Sequence, residues 1–92
     1  MAVANPIETA CTADQWTLVA EDVVDVIIEA ITSIPDRYLF TYRVANDTAP
    51  SGLTNQGAKY LTGAQRLVTS AVIDVYVYPV GGAGRVSAWQ QE

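Results

Sequence analysis

Glu21-Asp22-Val23-Val24-Asp25-Val26-Ile27-Ile28-Glu29-Ala30-Ile31 decides the fold, because it reads two ways. Helical spacing collects Glu21, Asp22, Asp25 and Glu29 on one face, with Val19, Val23, Ile27 and Ile31 opposite. Strand spacing turns Val24, Val26, Ile28 and Ala30 inward and Asp25, Ile27 and Glu29 outward. Periodicity leans to the helix. Six of these eleven residues are β-branched, however, and no good N-cap stands immediately before Glu21. We read a strand.

Working outward, residues 15–20 (QWTLVA) alternate cleanly, with Trp16, Leu18 and Ala20 on one side and Gln15, Thr17 and Val19 on the other. Ser33-Ile34-Pro35-Asp36 has turn composition. Residues 37–44 (RYLFTYRV) follow as the clearest strand, placing Tyr38, Phe40, Tyr42 and Val44 inward and Arg37, Thr41 and Arg43 outward. Residues 46–58 form a long loop with Pro50, Gly52 and Gly57, a type of segment that often carries function or contacts. Short strands are expected at 59–61, 65–70 and 73–80, the last with Ile73, Val75 and Val77 on one face and ended by Pro79. Gly81 to Gly84 turns the chain into a closing hairpin strand at 85–89 (RVSAW). Residues 1–13 are small and aperiodic and contain Pro6, which reads as an extended arm. The expectation is an all-β, single-domain β-sandwich or jelly-roll-like fold of about seven short strands at 14–92, preceded by an N-terminal arm at 1–13.

The chain has 92 residues, one domain's worth. Area scaling gives about 5,000 Å² exposed when folded, so the core is real but thin. Half the residues are hydrophobic and 16% are charged, which argues against a disordered acidic tail. Five Lys+Arg against ten Asp+Glu give a net charge of −5. Arg37, Arg43, Lys59, Arg66 and Arg85 stand singly, which argues against a nucleic-acid face or attraction to an anionic membrane. Uncharged stretches reach about ten residues, too short to span a bilayer. Residues 1–13 carry no basic residue and no long apolar run, so they do not read as a signal peptide. With one cysteine there is no disulfide framework, and oligomerisation is the natural supplementary source of stability.

Catalytic signals are sparse. Histidine is absent, which removes the commonest general base and metal ligand. Cys11 has no partner for a zinc site and reads as a small residue of the N-terminal segment. The run Gly81-Gly82-Ala83-Gly84-Arg85 lacks the following helix that a phosphate loop needs. Asp47-Thr48-Ala49 lacks the glycine of an aspartic-protease turn and reads as an Asx-type turn. Asp22, Asp25 and Glu29 lack the spacing of a dedicated Ca²⁺ loop, and Ser33, Ser51, Ser70 and Ser87 have no activating partner. The expectation is a non-enzyme with no cofactor and no metal. Val3 and Ile7, apolar residues of the arm, and Trp89 near the C-terminus are the candidate subunit contacts.

The order of pieces carries one further signal. Gln15-Trp16-Thr17-Leu18-Val19-Ala20 is followed by an aromatic strand leading into Asp47-Thr48-Ala49-Pro50-Ser51-Gly52. A turn at Thr62-Gly63-Ala64 then precedes Ile73-Asp74-Val75-Tyr76-Val77-Tyr78 and the glycines at 81–84. Over residues 15–89 this resembles small β-rich virion structural proteins of tailed bacteriophages, namely capsid decoration (cement) proteins and related head-fibre and tail accessory modules. The resemblance implies a virion protein made in the host cytoplasm, a homotrimer or other symmetric homo-oligomer that binds the major capsid protein or other virion proteins. The alternatives are a head-fibre, neck or tail connector, or a receptor- or glycan-binding module using the 46–58 loop and exposed tyrosines.

Overall fold

The computed structural model describes residues 6–32 and 37–90. Six strands run along it: β1 (Ile7–Cys11), β2 (Thr17–Ala30), β3 (Arg37–Val44), β4 (Lys59–Leu61), β5 (Ala64–Val80) and β6 (Gly84–Gln90). They form one antiparallel sheet in the order β1-β6-β2-β5-β3-β4. The fold is all-β, and the ambiguous 21–31 segment lies almost wholly in β2. Its valines and isoleucines fill a pleated, half-buried surface, where β-branched side chains pack well.

Two of the strands are long. The pieces expected at 15–20 and 21–31 fuse into β2, and those at 65–70 and 73–80 fuse into β5. Their pairing is irregular. β2 carries one extra residue between Leu18 and Ala20 and another between Ala20 and Val23. Then the two steps from Val23 to Asp25 face the five from Ile73 to Val68 on β5. Such bulges bend strands, and here the bend is large. Leu61 pairs with Tyr38, which pairs on its other side with Pro79, so Leu61 lies two strand spacings, about 10 Å, from Pro79. Ala64 follows Leu61 by three residues, a reach of at most about 11 Å. A straight β5 would hold Ala64 and Pro79 about 50 Å apart, more than the 37 Å longest dimension of the molecule. β5 therefore doubles back at residues 69–72, and β2 turns with it.

The result is one sheet folded into two leaves, in place of the two separate sheets of a sandwich or jelly roll. One leaf holds β3, β4 and residues 73–80 of β5 against the first half of β2. The other holds β1, β6 and residues 64–68 of β5 against the second half of β2. Across the fold the Tyr38 hydroxyl accepts from the Arg85 N–H at 3.3 Å and donates to the Thr32 carbonyl at 3.0 Å. The core joins both leaves. Val26, Ile28, Val86 and Ala88 meet Phe40, Leu61, Ile73, Val75 and Val77 in one cluster.

Three expectations are corrected. Of the segment expected as an arm, Ile7–Cys11 is a strand paired to β6, with Cys11 inside the core. Residues 1–5, Val3 among them, lie outside the described residues. Second, β6 pairs with β1 and β2 and never with β5, so Gly81 to Gly84 is a crossing and not a hairpin turn. Third, Val23 is buried and Val24 exposed, the reverse of the strand expectation, while Val26 and Ile28 do face inward. The irregular step from Val23 to Asp25, where two residues of β2 face five of β5, shifts the alternation between Val23 and Val26.

Candidate functional site

Partners in antiparallel register share a face of the sheet, which places the two described contact candidates. Ile7 pairs with Ala88, a core residue, so it lies on the inner face. It is 67% exposed, at the mouth of an apolar cleft of about 120 Å³ shared with Val19, Ala20, Val23, Val26 and Ala88. Trp89 pairs with Ile27, one residue out of phase with the buried Ile28–Ala88 pair, so it lies half-buried on the outer face. Ile7 and Trp89 are on neighbouring strands but opposite faces. They cannot belong to one flat patch.

A larger apolar surface surrounds the bend. Val68 is 66% exposed, Val72 44% and Val24 39%. Val72 stands one residue from the inward Ile73 and so faces outward, whereas Val44, the partner of Ile73, belongs to the inner face. Val24 lies between Val23, opposite Ile73, and Asp25, opposite Val68. From Val68 the outer face continues along β2 to Ile27 and across to Trp89. Charges interrupt this face: Glu29 beyond Ile27, the Glu8–Arg85 pair at 3.2 Å, and the pair of Asp25 with Arg66. Arg66 grips Asp25 through two bonds, Nε–Oδ1 at 2.9 Å and Nη2–Oδ2 at 2.7 Å. The hydrogen bonds and charge of Arg66 hold the Asp25 carboxyl below its ordinary value, and Asp25 raises that of Arg66. The pair presents no net charge to a partner.

The sequence reading missed this valine corner. Its elements were visible as Val23-Val24 and Ser70-Ala71-Val72, places where alternation breaks, but those breaks mean a corner only once β5 is known to bend.

The other outer surface is covered in part, with Tyr60 and Leu18 left exposed on it. The 46–58 loop folds back over β3, where the Thr41 hydroxyl donates to the Gln56 carbonyl at 2.8 Å and is buried. Arg43 donates to the Gln56 side-chain oxygen at 2.7 Å. Gly57 turns the loop here at φ +72°, a conformation that residues with side chains rarely adopt. Farther along, the Trp16 indole N–H donates to the Gly52 carbonyl at 2.6 Å, and the ring meets Tyr78 edge-on at 5.2 Å.

The remaining singled-out residues have local structural partners. Asp47 accepts from the Thr48 N–H at 2.7 Å, a local turn bond. Asp14 accepts from the Gly81 N–H at 3.1 Å, tying the glycine run to the start of β2. Burial pushes the Cys11 thiol up. Asp22, Asp25 and Glu29 are not brought together around a common point: Asp22 sits in the bulge, Asp25 on Arg66, and Glu29 pairs with Ala64 and Ser87. No protein-family model matches the chain, and no curated protein or solved structure matches it either.

Proposed function

We propose that this chain is a non-enzymatic structural protein of a tailed-bacteriophage virion, a decoration (cement) module that bridges capsid subunits as a symmetric homo-oligomer. The observation that carries the reading is the exposed valine corner continuing into Ile27 and Trp89. Singly exposed apolar residues are ordinary, but a contiguous set on one rigid surface favours a protein partner. The resemblance of residues 15–89 to small virion proteins supplies the class of partner. Many copies of a modest contact, multiplied by avidity, hold a shell together without a deep site on any one of them.

The acidic charge fits this role, keeping the free protein soluble and complementing basic ground on a shell. The test is the mass of the free protein by light scattering together with its copy number in purified particles. A free oligomer with hundreds of copies per particle is expected, reduced to a folded monomer by Val68→Asp or Val72→Asp. A monomer that is absent from particles would overturn the proposal; a few copies per particle would replace cement with a connector.

A further inference from the structure

We propose that the cleft between Trp16, Tyr78 and the 50–52 segment of the loop binds a neutral pyranose sugar. Three stretches distant in sequence converge on it. Asp14, Gln15 and Trp16 form one wall, Pro50, Ser51 and Gly52 a second, and Tyr78 the floor, around a volume of about 260 Å³. The two rings are held in place. Trp16 is fixed by its bond to the Gly52 carbonyl and by the edge-on contact with Tyr78. Asp14 is fixed as well, at φ +55°, with its N–H donating to the Pro79 carbonyl at 2.8 Å and its Oδ1 accepting from Gly81. A non-glycine residue held in the left-handed region, and a half-buried aromatic pair held by the Trp16 hydrogen bond and the edge-on contact, are organised before any ligand arrives.

The chemistry selects the ligand class. A pyranose has an apolar C–H face and a rim of hydroxyls. Aromatic rings receive the first, and a carboxylate, an amide and a serine hydroxyl receive the second. No cationic side chain lines the cleft, so phosphates and acidic sugars would meet the Asp14 carboxylate without compensation. A quaternary ammonium shares the preference for aromatic rings beside a carboxylate, but it makes no use of Gln15 and Ser51. The site lies on the β3 leaf, away from the valine corner, so it does not depend on the assembly proposed above.

The experiment is a two-dimensional amide NMR titration of the whole chain with the methyl glycosides of glucose, galactose, mannose and N-acetylglucosamine, with choline as the control. The expected result is millimolar binding by at least one glycoside, with shifts centred on the Trp16 indole N–H, Gly52 and Gly81. Asp14→Asn, which tolerates the same φ, is expected to weaken binding about tenfold while leaving the remaining spectrum unchanged. Gln15→Ala gives a second reading if Asp14→Asn perturbs the fold. The proposal is overturned by no shifts at tens of millimolar glycoside, by shifts that both variants leave unaltered, or by choline binding more tightly than every sugar.

Discussion

The two leaves of the sheet are built from halves of the same β2–β5 ribbon, yet their outer faces differ. On the β3 leaf, a thirteen-residue loop covers part of the sheet, burying Thr41 and tying down Trp16. On the β6 leaf no loop covers the outer face, and Ile27, Val68 and Trp89 stand there with Glu29 and the Asp25–Arg66 and Glu8–Arg85 ion pairs. A chain this small has one loop long enough to act as a second layer. The face it leaves uncovered is where the proposed assembly would bury most apolar surface.

The comparison assumes that the leaves stand or fall together, since they share a core. Ile28, inaccessible on the β6 leaf, tests this most severely. Ile28→Ala is expected to cost about 3 kcal/mol, a Tm loss of more than about 10 °C in a domain of this size. Urea unfolding of single-tryptophan forms, Trp16→Phe and Trp89→Phe, then reports each leaf separately. Coincident transitions are expected. A Trp89 transition well before the Trp16 transition would show that the β6 leaf melts alone.

The next effect lies at the bulge before Val23. Asp22 donates its N–H to the Asp74 carboxylate at 3.0 Å, and Asp74 is only 8% exposed on the neighbouring strand. Asp74→Ala leaves that N–H without its partner, at an expected cost of about 2 kcal/mol. The Asp22 amide should exchange faster by a larger factor than amides of β6. Uniform acceleration would mean that the bulge is held by packing instead.

Much of the first leaf was legible in the sequence. Residues 37–44 and 73–80 alternate without interruption where the structure pairs them, and Tyr38, Phe40, Val75 and Val77 are buried as the pattern implies. Tyr42 and Val44 share that inner face by register, but they remain exposed because they approach the bend. The second leaf was harder to read, because its strands depend on distant irregularities. A period-two reading has no way to place the irregular step between Val23 and Asp25, so it assigned Val24 inward and left Val72 out of account. β1 escaped recognition because its partner, β6, supplies its order; nothing local in IETAC declares a strand. Candidate contacts on single residues were legible as residue types only, and the face that each one occupies came from register.

A smaller effect separates covering from folding on the β3 leaf. The Gln56 side-chain oxygen accepts from Arg43 and from the Ser51 N–H at 3.3 Å, and its amide donates to the Thr54 carbonyl at 3.0 Å. Gln56→Ala removes that hub but keeps the backbone carbonyl that Thr41 uses. The expected cost is about 1 kcal/mol, with protease cleavage within 46–58 accelerated and the β6 leaf unaffected. Loss of cooperative unfolding would instead make the loop part of the core.

The smallest effect concerns the Asp25–Arg66 pair in the outer strip. Arg66 lowers the Asp25 carboxyl relative to the unfolded chain, so its contribution is present above the ordinary aspartate value of about 3.9. It is lost as pH falls through the lower folded value. Carboxyl-carbon NMR should find Asp25 titrating below the ordinary range in the whole chain and within it after Arg66→Ala. Because both groups reach solvent, the free protein's stability should barely register that change. An assembly that covers the strip should respond more strongly, since protonating Asp25 leaves the Arg66 charge buried without its counterpart. Dissociation over the same acid window, absent in an Asp25→Asn, Arg66→Gln double variant, would place the pair inside the contact. Acid-insensitive association would move the contact to the valine corner alone.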